Sequence, residues 1–97
     1  MNDYLLKENI LDSQSVIQLR SSVGWDSLTE PTLAKALTNS IFFASIWYKN
    51  KAVAMGRIVG DGHLYFYLQD MIVNPDHQRQ GLCQRITENL RSRVKDI

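Results

Sequence analysis

Apolar and polar positions follow two different rhythms along the chain. Tyr4 to Lys7 reads as a short strand. Val16, Ile17, Leu19 and Val23 then recur at roughly helical spacing behind Asp12 and Ser13, both good N-cap residues. Gly24 ends that helix. A second helix is signalled at Thr29-Glu30-Pro31, where proline suits the first turn, and Leu33, Ala36 and Leu37 give it an apolar stripe before Asn39-Ser40. Ile41 to Tyr48 is instead rich in β-branched and aromatic residues, as strands are. Lys49-Asn50-Lys51 reads as a turn and Ala52 to Val59 as a second strand. Gly60-Asp61-Gly62 is a hairpin signal, because glycine supplies the positive φ that such turns need. Leu64 to Val73 completes an antiparallel meander. A last helix follows Gly81, with an apolar stripe of Cys83, Ile86, Leu90, Val94 and Ile97. Arg91, Arg93 and Lys95 suit the negative end of its dipole. The predicted order is β-α-α-β-β-β-α, an α+β fold in one domain over residues 1–97.

Composition narrows the function classes. The 97 residues fit a single small domain, with 44% hydrophobic and 22% charged residues. A net charge of +1 gives no electrostatic case for nucleic acid or an anionic membrane. No apolar run is long enough for a membrane-spanning helix, and the N-terminus lacks the pattern of a secretory signal. The lone cysteine, Cys83, forbids an intrachain disulfide and suits a reducing, cytoplasmic setting. His63, His77 and Cys83 lack metal-site spacing, so no metal is expected.

Chemistry concentrates between Gln69 and Cys83. Here a strand runs through a short loop into a helix start. A helix start presents unpaired N–H groups and partial positive charge, and so can hold an anion. Gly81 removes a side chain where a phosphate could approach, and Gln78, Arg79 and Gln80 add donors. Neither a Walker-type phosphate loop nor a Rossmann fingerprint is present. Many ordinary strand-to-helix turns also contain a glycine.

Gln78-Arg79-Gln80-Gly81-Leu82-Cys83, preceded by Val73-Asn74-Pro75, resembles motif A of the Gcn5-related N-acetyltransferases: Gln/Arg-x-x-Gly-x-Gly/Ala after a strand and a Val-x-Pro-like turn. The hairpin from Gly56 to Gly62 and the two early helices are also similar to that family, so the resemblance spans nearly the whole chain. It implies an acyl-CoA N-acyltransferase-like fold and acetyl-CoA as acetyl donor. It further implies that backbone groups of Met71, Ile72 and Val73 pair with the acetyl and pantetheine end. Backbone N–H groups from Gln78, Arg79, Gln80, Gly81, Leu82 and Cys83 would hold the pyrophosphate. A primary amine, on a small molecule or a protein, would attack the thioester directly while the site stabilises the oxyanion.

Two departures from the family pattern stand out. Cys83 replaces the usual glycine or alanine, and the family continues past this helix with a strand, a helix and a closing hairpin. A chain ending at Ile97 is therefore expected to leave the edge of Leu64 to Val73 unpaired and to self-associate as a homodimer through it. The alternative to an enzyme is a catalytically silent CoA-binding or dimerisation module.

Other residues carry a sharp reading and a plain one. Asp70 is a candidate catalytic base, although capping or hydrogen bonding near a strand end is the more ordinary role. Strand alternation groups Tyr65, Tyr67, Gln69, Met71 and Val73 on one face, to line an acceptor pocket or, more commonly, to fill the core. Cys83 is expected to pack as a small residue rather than act as a nucleophile, and Trp25 to plug the core, with contact to substrate as its sharper reading. His63 and His77 are expected in solvent, with contact to the cofactor as the sharper reading of His77, and Arg85, Arg91 and Arg93 on a solvated helix face, with Arg85 in reach of a phosphate.

Overall fold

The computed structural model describes residues 3–26 and 28–97. Its elements are β1 (Leu5–Glu8), α1 (Ser13–Ser22), α2 (Glu30–Thr38), β2 (Phe42–Tyr48), β3 (Lys51–Gly60), β4 (Phe66–Val73), a single 3-10 turn (Pro75–His77) and α3 (Leu82–Lys95). The predicted order and α+β class are those observed. All strand pairs are antiparallel, in the order β1-β2-β3-β4.

Helix starts follow local chemistry. The Asp12 side chain accepts from the Ser15 amide at α1, and the Thr29 side chain accepts from the Thr32 amide at α2. The Ser15 hydroxyl also donates to Asp12 at 2.7 Å and holds that carboxyl below its usual range. The β3–β4 connection is set by Asp61. One of its oxygens accepts from the amides of His63, Leu64 and Tyr65 at 2.8, 2.8 and 3.0 Å. Those three amides lower its pKa, Tyr65 contributing most. This cap holds residues up to Tyr65 in the turn, so β4 begins at Phe66 rather than at Leu64.

The sheet is covered on both faces. On one, α3 packs Leu82, Ile86 and Leu90 against Ala44, Ile46, Ala54 and Ile58. On the other, Val16 and Leu19 of α1 and Leu33 and Leu37 of α2 pack around Met55 and Ile72. The stripe of α3 runs through Leu82, not Cys83, which is exposed. Leu82, Ile86 and Leu90 are spaced by four, and that phase turns Cys83 away from the sheet.

Two register shifts re-aim side chains. One lies between Ile46 and Trp47, where Val53 of β3 is extra. The other lies in β4: Arg57 pairs Gln69 and Met55 pairs Ile72, so Asp70 and Met71 face Gly56 alone. Asp70 sits in the left-handed region, φ 53°, which one class of bulge fills with glycine. The expected alternation along β4 therefore breaks. Met71 and Val73 pack on the α3 side with Phe66, while Ile72 joins the opposite cluster. Tyr65 and Tyr67 do not fill the core: they stack on each other, centroids 6.4 Å apart, and are exposed.

At the far edge of α3, Arg93 donates to both oxygens of Glu8 at 2.6 Å, and Asn89 adds a bond at 2.8 Å. Arg93 and then Asn89 hold the Glu8 carboxyl below its usual range.

The close approach of α3 to the sheet depends on Gly56. A Cβ there would lie 2.8 Å from Ile86 Cγ2, 3.0 Å from Met71 Cε and 3.2 Å from Leu90 Cδ1. Gly56→Val should therefore destabilise the fold by about 1–3 kcal/mol through overpacking, read as a lower urea midpoint. An unchanged midpoint would mean that α3 does not sit this close.

Candidate functional site

The end of β4, the loop after it and the first turn of α3 enclose a cleft of about 850 Å³. That volume suits a sizeable organic ligand. Its lining contains Met71, Ile72, Val73, Gln78, Arg79, Gly81, Leu82 and Cys83, which is every predicted cofactor residue except Gln80. Val23, Trp25, His77, Thr87 and Arg91 complete much of the rest.

Local structure explains why this end of α3 is open. Asp12 and Thr29 occupy the starts of α1 and α2, but Gly81 gives α3 no side-chain cap. The first intrahelical bond at this turn runs from Arg85 N to Gly81 O at 3.1 Å. The amides of Leu82, Cys83 and Gln84 thus stand where a helix leaves its donors without helical acceptors. Left-handed backbone at Arg79 (φ 64°) and Gly81 (φ 76°) turns the loop into the helix, and no heavy atom lies within 4 Å of where a Cβ on Gly81 would stand. The approach to these donors is unobstructed. Arg79 and Arg91 line the cleft and make no ion pair among the described residues, and Glu88 is the one carboxylate in its lining.

The loop is held from below. Asn74 N donates to Val53 O at 2.8 Å, and the Asn74 side chain accepts from Asp76 N at 2.9 Å. His77 is not a solvated loop residue. Its Nδ1 shares a 3.0 Å hydrogen bond with the Tyr4 hydroxyl, and its ring packs against Tyr4 and Tyr48. Arg85 is likewise drawn inward, donating to Tyr4 O at 3.2 Å, and Arg93 is engaged by Glu8. His63 is exposed in the Asp61 turn, as expected. Trp25 does not plug the core: it is 42% exposed, lines the cleft and lies beneath the Arg20 guanidinium, 5.3 Å from the ring centroid.

Asp70 does not line this cleft. It borders a smaller cavity of about 130 Å³ among α1, α2 and β3. There its carboxylate accepts from Arg57 Nε at 2.8 Å and from Arg20 at 3.3 Å. No local signal in the sequence joins these three, since Arg20 lies 50 residues from Asp70. The Tyr4–His77 bond, across 73 residues, is equally invisible in sequence. No cluster of metal-ligating side chains occurs among the described residues, and no described helix is long and apolar enough to cross a membrane.

Comparison with known proteins places this geometry in a family. The model of the acetyltransferase (GNAT) family matches residues 10–96. The chain belongs to that family, and its α+β fold is an acetyltransferase fold. It is similar to a protein of unknown function, a probable acetyltransferase, from methicillin-resistant Staphylococcus aureus, at 26% identity and TM-score 0.89, over 97% of this chain and 71% of that one. It is also similar to a GNAT-family acetyltransferase from Streptococcus pneumoniae, at 30% identity and TM-score 0.81, over 95% of this chain and 68% of that one. A GNAT-family structure from Xanthomonas campestris shares the fold at 18% identity and TM-score 0.78, over 95% of this chain and 67% of that one. No curated protein matches the chain.

An exposed thiol at an open helix start should be reactive. Cys83 is expected to titrate fully with a thiol reagent in the folded protein without denaturant. Reaction only after unfolding would restore the packed reading.

Proposed function

We propose that the cleft binds acetyl-CoA and that the protein transfers the acetyl group to a primary amine. The observation that carries this reading is the junction of the β4 end with the uncapped start of α3 in one cleft, in a chain of this family. The ligand's two ends ask for different things. A pyrophosphate needs several N–H donors and positive charge, which the amides of Leu82 and Cys83, the helix dipole and Arg79 supply, whereas the Gln78 amide already donates to Pro75 O. A pantetheine arm is an extended amide chain and needs a strand edge. β4 is the terminal strand of the sheet, so its outer edge at Met71, Ile72 and Val73 suits that arm.

The reaction requires no covalent enzyme intermediate. The amine lone pair attacks the thioester carbonyl carbon, a C–N bond forms, and the C–S bond breaks to release CoA thiolate. The proton shed by the nitrogen goes to solvent or to the thiolate. The developing oxyanion is stabilised by N–H groups already oriented by the fold. A cytoplasmic location belongs to the same reading, since an exposed lone thiol suits a reducing compartment.

Calorimetry tests this directly. Acetyl-CoA should bind saturably, and Gly81→Val should weaken binding by about tenfold or more, because a β-branched residue at that φ is strained and its side chain enters the cradle. No binding at about 1 mM cofactor would overturn the reading.

The other end of β4 carries a separate expectation. Leu64 and Tyr67 are 77% and 54% exposed, next to an edge that pairs no strand among the described residues. We propose homodimerisation there, beyond the bulge from the cofactor residues. Sedimentation equilibrium should show dimer, converted to monomer by Tyr67→Lys. A monomer at all concentrations would refute it.

A further inference from the structure

Asp70 is the most constrained residue of β4. It occupies a bulge, holds a backbone conformation uncommon outside glycine, and has a side chain only 17% exposed. Both of its oxygens are taken. Arg57 Nε reaches Oδ2 at 2.8 Å, and Arg20 reaches Oδ1 at 3.3 Å, each arginine side chain being 16% exposed.

The two arginines are themselves anchored. Arg57 also donates to Ala36 O at 3.2 Å and Ser40 Oγ at 2.9 Å, which ties β3 to the end of α2. Arg20 of α1 also donates to Asp26 O at 3.4 Å and lies over the Trp25 ring. A single carboxylate therefore joins α1, the chain after α1, α2 and β3 to the bulge. Two of the segments so held face the cleft: Trp25 on one wall, and Met71, the residue next to Asp70, on the other.

Such a network is a costly way to gain stability. Burying paired charges seldom improves on apolar packing, whereas removing one partner leaves a charge unmatched, so its strength lies in specifying one geometry. A proton-transfer role needs a carboxylate within hydrogen-bond reach of the amine or of one intervening water. Asp70 opens onto the smaller cavity and already has a cation at each oxygen.

We infer that Asp70 is a positioning residue: with Arg20 and Arg57 it locks the β4 bulge and the Trp25 wall, and so sets the backbone at Met71 that receives the acyl end of the cofactor. This rests on the acetyl-CoA reading of the cleft. The loop from Gln78 to Cys83 lies outside the clamp, which separates the acyl end from the phosphate end.

Paired calorimetry with acetyl-CoA and CoA reads that separation. Asp70→Asn keeps size and tolerates the left-handed backbone while removing the charge. It should weaken acetyl-CoA by about tenfold or more and leave CoA within about twofold, and Arg20→Gln should show the same split. Unchanged acetyl-CoA affinity in both variants overturns the inference, and so does an equal loss for both ligands. If the unaltered protein binds neither ligand, the cofactor reading fails and the clamp is judged on the free protein. Amide hydrogen exchange in Arg20→Gln should then accelerate together at residues 24–26 and 70–73 while that of β2 is unchanged. Acceleration confined to 24–26 overturns the clamp.

Discussion

The approach of α3 to the sheet across Gly56 is the contact on which the rest of the structure depends. Ala44, Ala54 and Gly56 carry almost no side chain, and Leu82, Ile86 and Leu90 fill the space they leave. Close-packed interiors tolerate little slack, so this fit sets both the height and the rotation of the helix. Its rotation decides that Leu82 points to the sheet and Cys83 to the cleft. Its height decides that the open amides of its first turn stand beside the last residues of β4. A helix resting on bulkier residues would move those donors away from the strand edge.

Around that contact, the site is built mainly from backbone. Left-handed residues at Asp70 within β4 and at Arg79 and Gly81 in the loop after it bend the chain on its way to α3. Each has a different support. Gly81 needs none, because it lacks a Cβ. Asp70 is held by two guanidinium groups, and the loop containing Arg79 is held by Asn74 below and by the Tyr4–His77 contact at its side. Side chains here act chiefly by fixing where N–H groups point.

Much of this was legible in the sequence where the signals are local. Asp12, Thr29 and Pro31 mark helix starts because a cap is a contact between residues three apart, and the strands from Ile41 onward follow their β-branched and aromatic content. Motif A was legible because Gly81 and its neighbours form one continuous segment. The signals misled where a distant residue or an exact phase mattered. Asp61 shortened β4 by gathering three amides into the turn. One residue of phase moved the stripe of α3 from Cys83 to Leu82. The bulge at Asp70 then split Met71 and Val73 from Tyr65 and Tyr67, since a single extra residue reverses every side chain beyond it.

The sequence by itself determined the succession of elements, the fold family and the segment that lines the cleft, because caps, periodicity and a short motif act between near neighbours. The tertiary structure alone decided the partners of Asp70, the inward turn of His77 and Arg85, and the exposure of Cys83, Trp25 and the tyrosine pair. Those depend on groups brought together from different elements, 50 residues apart for Arg20 and Asp70 and 73 for Tyr4 and His77, and on the close packing of a helix against small side chains. Neither is encoded in any local pattern, since spatial neighbours exist only after the chain has folded.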